Sequence, residues 1–314
     1  MSERPKVIVS EPLTARPLEW LGERAEVVHA AVGTPDFESH RASAQGLVVR
    51  TYTTVDAALL ASMPALRVVG RAGVGLDNID LDACAARGVV VEHTPDANTD
   101  AVVEFVTALM LDAIRPRGGL DRAIDADAWN ELRADLVAPR QLAGITLGVY
   151  GFGRIGSRMA PLGAALRMRV LYCDLLEIDP DRRSGATSVS REEMLRESDV
   201  LTVHVDGRSE NRGLIGHDAF ASMKEDVIFI NTSRGFVVDA QACADFMRAR
   251  PAAQALLDVH DPEPLPVEHP LLMMDNVLLT PHIASATLPA KDAMSWVVRA
   301  VWGVLCEERA TQAR

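Results

Sequence analysis

The sequence predicts an α/β protein of two doubly wound parallel-sheet domains, and three observations carry that expectation. Short β-branched runs alternate with helix-spaced segments along most of the 314 residues, the pattern of parallel strands with helices on both faces of a sheet. A glycine-rich turn, Gly151-Phe152-Gly153-Arg154-Ile155-Gly156, joins an apolar run to a helical segment. This turn stands near the middle of the chain, so an α/β unit of its own precedes it. The length suits two domains with ample material for a core.

In chain order, residues 6–10, 26–29, 46–50, 66–70 and 89–92 read as strands. Helical spacing at 56–60 and 81–86 falls between them, the second followed by Gly88. Residues 98–114 are apolar nearly all round, through Ala101, Val102, Val103, Phe105, Val106, Ala108, Leu109, Met110 and Leu111. A helix with no polar face is buried, here between domains or subunits. Pro116 and Gly118-Gly119 end it, and residues 121–141 hold a further helix with Trp129 and a connecting loop. The second unit then offers six strands, at 146–150, 169–174, 200–205, 227–231, 255–259 and 276–280. A last helix at 290–306 follows, with amphipathic stretches suited to returning to the first domain.

Gly151, Gly153 and Gly156 fill the three glycine positions of a dinucleotide fingerprint: a tight turn, a close approach to pyrophosphate, and close packing of helix on strand. The helix opening at Arg154-Ile155-Gly156 presents unpaired N–H groups and the positive end of its dipole. Asp174 ends the next strand 18 residues after Gly156, near the offset of about 20 at which a carboxylate meets the adenosine ribose hydroxyls. Leu175-Leu176 follow it, with no Arg to receive a 2′-phosphate, which favours NAD over NADP.

The totals exclude several classes. A net charge of −12 with no local Lys/Arg cluster argues against nucleic acid as a partner. No apolar run approaches the roughly 18 residues of a membrane helix. Met1-Ser2-Glu3-Arg4-Pro5 shows no signal-peptide apolar region, so a cytoplasmic location is the default. Cys84, Cys173, Cys243 and Cys306 are scattered and read as buried thiols in a reducing compartment. No metal site is expected.

In open α/β sheets, ligands bind outside the carboxyl ends of the strands. Three residues fall there at consecutive strands: Arg234 in Thr232-Ser233-Arg234-Gly235, Glu263 in His260-Asp261-Pro262-Glu263-Pro264, and His282 in Pro281-His282-Ile283-Ala284. An Arg grips a carboxylate or polarised carbonyl through two parallel hydrogen bonds. A His gives or takes the alcohol proton near neutral pH, and a Glu on its far nitrogen fixes the tautomer and raises its pKa. Together they suit hydride transfer to a 2-keto acid, with a nicotinamide as hydride carrier.

The chain resembles the D-isomer-specific 2-hydroxyacid dehydrogenases, the family that includes D-3-phosphoglycerate dehydrogenase. The motifs that carry the resemblance come in one order. They are Gly70-Arg71-Ala72-Gly73-Val74-Gly75-Leu76-Asp77-Asn78-Ile79-Asp80, His93-Thr94-Pro95 with Asn98, and the glycine fingerprint. Asn231-Thr232-Ser233-Arg234-Gly235, Leu257-Asp258-Val259 with Glu263-Pro264, and Thr280-Pro281-His282 complete the series. The resemblance implies Arg234 as substrate clamp, Glu263 as histidine partner and His282 as acid/base. It implies that Asp258 holds the nicotinamide carboxamide, and that Val205, Thr232, Ser233 and Arg234 line the NAD site. Backbone N–H groups at Val74 and Gly75 would take the substrate carboxylate. The implied fold is a Rossmann-type nucleotide domain, 98–284, inserted into a discontinuous flavodoxin-like substrate domain, 1–97 and 285–314. A homodimer through 98–141 is implied too.

Two departures from the family stand out. Asp206-Gly207-Arg208-Ser209-Glu210-Asn211 replaces the usual Pro and Thr-rich residues on the adenosine side, and His260 stands where an aromatic is frequent. Nothing after Cys306 resembles a regulatory domain. Arg50 and Arg71, at strand ends of the first domain, could receive a phosphate, as in phosphoglycerate relatives, or could simply be solvated; glyoxylate or hydroxypyruvate is the competing substrate. From another class, an NAD(H)-sensing, corepressor-like regulator with the same fold is the alternative. An L-specific lactate-type enzyme fits less well, because its fingerprint opens the chain.

Overall fold

The computed structural model describes residues 4–115 and 117–312. Residues 1–3 and Pro116, on which the leader and helix-ending expectations partly rest, lie outside them. The chain divides into two units, Met1–Thr99 with Ser285–Arg314, and Asp100–Ala284.

The first unit begins with β1 (Lys6–Val9), α1 (Ala15–Gly22), β2 (Glu26–His29), α2 (Pro35–His40), β3 (Gly46–Val49), α3 (Ala57–Ser62), β4 (Val68–Arg71), α4 (Leu81–Ala86) and β5 (Val90–His93). The strands pair in parallel in the order β2-β1-β3-β4-β5, the flavodoxin-like arrangement. Side-chain caps start three of the helices. The Thr34 hydroxyl accepts from Phe37 N–H at 3.3 Å, Asp56 from Leu59 N–H at 2.8 Å and Asp80 from Ala83 N–H at 2.8 Å.

The second unit takes in α5 (Thr99–Ile114), α6 (Ala126–Asp135), β6 (Thr146–Tyr150), α7 (Gly156–Ala165), β7 (Arg169–Cys173), β8 (Thr187–Ser188), α8 (Arg191–Glu197), β9 (Val200–Val203), α9 (His217–Ala221), β10 (Ile228–Asn231), α10 (Ala240–Ala249), β11 (Gln254–Leu257) and β12 (Val277–Leu279). Its sheet is parallel, in the order β12-β11-β10-β9-β6-β7-β8. That is the dinucleotide-binding order with a seventh strand added next to β11. The sequence offered six strands; the one it lacked is β8, two exposed residues with no apolar period to read. One face buries Val102, Val106 and Met110 of α5 and Met159 of α7 against Leu147, Val149, Ile228 and Ile230. The other buries Leu195, Phe220, Phe246 and Met247 against Leu201, Val203, Phe229 and Leu257. Each such side chain contributes roughly 1.5–3 kcal/mol by leaving water.

The chain then returns to the first unit as α11 (Leu288–Ser295) and α12 (Val298–Gln312), where the sequence reads a single helix at 290–306. Val297, Val298, Val301 and Leu305 pack on Val7, Val9, Val48 and Val68. Two further expectations need correction. Helix α5 does carry a polar side, a stripe exposed in the single chain at Glu104, Ala108, Leu111 and Asp112, because its charged positions recur at helical spacing on one side. Cys84 and Cys243 are buried, but Cys173, at the end of β7, and Cys306, within α12, are partly exposed.

Candidate active site

The glycine turn joins β6 to α7. Gly151 has φ +89°, and a Cβ there would lie 2.7 Å from the His204 carbonyl oxygen, so only glycine fits between the neighbouring strand end and the turn. A Cβ on Gly156 would lie 2.0 Å from the Gly151 carbonyl oxygen, which is how closely helix packs on turn. Gly153 faces open space, with nothing within 4 Å of a built Cβ. Arg154 is exposed and Ile155 half-buried at the helix entrance. The Asp174 carboxylate closes the turn from β7, accepting from Phe152 N–H at 2.5 Å and Leu176 N–H at 2.8 Å.

His204 and Val205 continue β9 on the other side of the turn. Burial pushes His204 down to about 3, so its ring is neutral; Nε2 lies 3.0 Å from the Thr202 hydroxyl, while buried Nδ1 has no partner. The Thr232 hydroxyl, at the corresponding end of β10, is likewise buried without a partner. Orphaned buried polar atoms are uncommon and call for one. With the open approach at Gly153, these residues fit a dinucleotide laid along the strand ends. The loop after Val205 is self-bonded. Asp206 accepts from Arg208 Nε at 2.7 Å and Nη2 at 2.5 Å, and Asn211 Nδ2 donates to the Asp206 carbonyl oxygen at 2.9 Å.

The ends of β10, β11 and β12 lie side by side and bring Arg234, Glu263 and His282 to one edge. Asn231 organises the first loop, accepting from Ser233 N–H at 3.0 Å and from the Ser233 hydroxyl at 2.7 Å, and donating to the Arg234 carbonyl oxygen at 2.9 Å. Arg234 Nη1 donates to the Ser233 carbonyl oxygen at 2.7 Å. His282 Nδ1 lies 2.8 Å from Glu263 Oε2. An ionised carboxylate only accepts, so Nδ1 carries the hydrogen and Nε2 is left for proton exchange.

That hydrogen bond holds the His282 pKa above its ordinary value despite burial; the charges of Glu263 and Asp258 act with it and Arg234 acts against it. Burial alone would raise the Glu263 carboxyl, but hydrogen bonds from His282 and the His260 N–H outweigh it and hold it below its ordinary value. His282 has φ +54°, a left-handed conformation that costs a non-glycine residue roughly 1–3 kcal/mol and persists only where the surroundings impose it. Asp258 imposes it from one side. Fully buried, its carboxylate accepts from the Thr280 hydroxyl at 2.5 Å, Ile283 N–H at 2.8 Å and Ala284 N–H at 2.7 Å.

In the first unit, Arg50 and Arg71 follow β3 and end β4, at neighbouring strand ends. Arg50 Nη1 donates to the Pro12 carbonyl oxygen at 3.0 Å, and a Cβ on Gly73 would lie 1.2 Å from Arg71 Nη1. The guanidinium of Arg71 therefore lies across the backbone that leads to Val74 and Gly75, both half-buried. Sequence reasoning passed over Glu11, whose carboxylate accepts from the N–H groups of Arg50, Thr51, Tyr52 and Thr53 at 2.9–3.1 Å. It also missed the close approach at Gly235, where a Cβ would lie 1.9 Å from the His260 carbonyl carbon. The glycine after Arg234 was the available signal. Among the described residues no group of three His, Cys, Asp or Glu side chains is arranged to hold a metal, and no helix is long and apolar enough to cross a membrane.

Comparison with known proteins bears on this geometry. The family model for the NAD binding domain of D-isomer specific 2-hydroxyacid dehydrogenases matches residues 107–284. D-3-phosphoglycerate dehydrogenase of Archaeoglobus fulgidus is 37% identical over 289 residues, covering 91% of this chain and 54% of the relative. Glyoxylate reductase of Aeropyrum pernix is 37% identical over 294 residues, covering 91% and 88%. The chain thus spans about half the length of the phosphoglycerate dehydrogenases it matches. Among solved structures, D-lactate dehydrogenase of Aquifex aeolicus in complex with NAD and lactic acid superposes with a TM-score of 0.82 at 28% identity, covering 97% of this chain and 96% of that one.

Proposed function

This chain belongs to the D-isomer-specific 2-hydroxyacid dehydrogenase family, and from that premise we propose that it transfers a hydride between NAD(H) and a small D-2-hydroxy acid or its 2-keto acid. The observation that carries the proposal is the 2.8 Å contact of His282 Nδ1 with Glu263, with Arg234 close enough for its charge to act on the ring. In this reading residues 98–284 hold the cofactor, and residues 1–97 with 285–314 hold the substrate. The glycine turn and the start of α7 take the pyrophosphate, Asp174 the adenosine ribose, and Val205, Thr232, Ser233 and Asp258 the nicotinamide half. The bound nicotinamide supplies or takes up the hydride.

The chain's own residues do the rest. His282 Nε2 gives a proton to the carbonyl oxygen in reduction, or takes it from the hydroxyl in oxidation, while Glu263 keeps the ring in place. Arg234 pairs with the substrate carboxylate or polarises the carbonyl, and in the first unit the Val74 and Gly75 N–H groups are the carboxylate donors that the resemblance implies. The names of the relatives support both 3-phosphoglycerate and glyoxylate or hydroxypyruvate as substrates. Arg50 and Arg71 separate them: if they bind a phosphate, Arg50→Ala and Arg71→Ala raise the KM for 3-phosphohydroxypyruvate, and if they do not, it stays unchanged. A homodimer through 98–141, where α5 offers Ala108 and Leu111 on its exposed stripe, and a cytoplasmic setting belong to the same reading. No observation favours the regulatory alternative.

The test is loss of the reduced-nicotinamide absorbance with a panel of 2-keto acids. His282→Ala is expected to abolish turnover and leave NADH binding intact. Bound NADH with no turnover of any acid by the wild-type chain would sink the proposal.

A further inference from the structure

His260 takes part in a closed circuit around the proposed acid/base pair. Its backbone N–H donates to Glu263 Oε1 at 2.8 Å, and its ring Nε2 lies 2.8 Å from the Thr280 carbonyl oxygen. That carbonyl only accepts, so Nε2 is the donor. His282 makes the same two connections the other way round. Its ring donates to Glu263 Oε2 at 2.8 Å, and its backbone N–H donates to the same Thr280 oxygen at 2.9 Å. Four hydrogen bonds thus join two histidines through one carboxylate and one carbonyl.

We propose that His260 is a positioning residue for the Glu263–His282 pair, with its imidazole acting as a strut that holds the 280–282 turn at the distance where His282 meets Glu263. This rests on the functional reading above and adds a residue to it. The physical need is the left-handed backbone of His282, φ +54°, which relaxes unless both sides of the turn are held. Asp258 anchors the far side through Ile283 and Ala284. On the near side, the His260 ring is the side chain bonded to the Thr280 carbonyl. The imidazole is spent on the Thr280 carbonyl, so it acts on turnover through the ring it places. The charged and titratable groups facing His282 are Glu263, Asp258 and Arg234; those facing His260 are Glu263 and His269, with neighbouring Asp261 paired to Arg212 at 2.8 Å.

His260→Phe keeps a ring and the backbone donor to Glu263 but removes the bond to Thr280. It is expected to lower kcat for keto-acid reduction about 10- to 100-fold, the scale of a misplaced catalytic group. The KM for the keto acid and the affinity for NADH should stay within about twofold. In the free full-length chain, the imidazole NMR titration of His282 should move to lower pH, because the Glu263 contact that raises it is made less often. His260→Gln, whose amide reaches Thr280, should restore both readouts, and His260→Asn, one methylene shorter, should not.

An unmoved His282 titration in His260→Phe overturns the strut. So does equal behaviour of the Gln and Asn variants, a comparison that stands if the Phe variant does not fold. The titration needs no substrate. Wild-type turnover with an unmoved titration therefore removes the strut alone, and a moved titration without any turnover removes the proposed activity alone.

Discussion

At His282 a strained backbone, a neighbouring carboxylate and a half-exposed ring meet in one residue. The hydrogen bond to Glu263 raises its pKa by favouring the charged form, so the proton that the proposed keto-acid reduction would use is retained to higher pH than on an ordinary histidine. The sign follows. Reduction should fall as pH rises through the raised value, and oxidation of the hydroxy acid should rise through the same midpoint. Glu263→Gln removes the leading cause of the shift and should move both midpoints to lower pH, at about tenfold in reduction rate per unit of displacement when assayed above them. Profiles of kcat/KM in both directions check this, and a midpoint that stays put would mean that Glu263 does not set it. The proposed acid/base pair was legible as residue types at strand ends. The left-handed φ of His282 was not, because nothing in Thr280-Pro281-His282 demands it; it is imposed by Asp258 and by the 260–263 loop.

The site elements are the loops that leave the carboxyl ends of β9, β10, β11 and β12. Three of them are shaped by a polar side chain at or just past a strand end: Asp206 for the loop after β9, Asn231 for the loop after β10, and Asp258, just past β11, for the loop after β12. The resemblance casts Asp258 as a cofactor contact, and the geometry also gives it a structural role. Its carboxylate accepts from one hydroxyl and two backbone N–H groups while fully buried. Asp258→Asn puts an amide N–H₂ against at least one of those donors and should lower the unfolding free energy by about 2–4 kcal/mol, the scale of one or two buried donors left unpaired. Urea denaturation together with hydrogen exchange at 280–284 reads it. Full protection there with wild-type stability would show the loop to be held by something else. This hub was hard to see in the sequence because its partners lie more than 20 positions downstream, and hydrogen-bond pairing at that separation leaves no local period.

At the scale of the whole molecule, each unit has its own sheet and its own core, and the first depends on a segment from the far end of the chain. Val301 of α12 is fully buried, and a Cβ on Gly70 would lie 2.3 Å from its Cγ2, so the helix sits directly on β4. Val301→Ala removes two methyl groups and should cost about 2 kcal/mol, the transfer of those groups plus the cavity they leave. Because the loss falls on one core, amides of β1, β3 and β4 should lose exchange protection while those of β6, β9 and β10 keep theirs. Uniform loss across both sheets would refute independent cores.

The amino-acid order by itself determined the strand–helix alternation, the glycine turn and which residue types stand at the strand ends, because these are properties of neighbours in the chain: apolar period, β-branching and the absence of a Cβ. Tertiary structure alone decided the two-residue β8, the exposed stripe of α5, the division of the last helix, and the bonds that join Asp258, His260, Glu263 and His282. Those depend on which atoms a folded sheet brings within 3 Å, and the energy that selects them is spread over loops far apart in sequence.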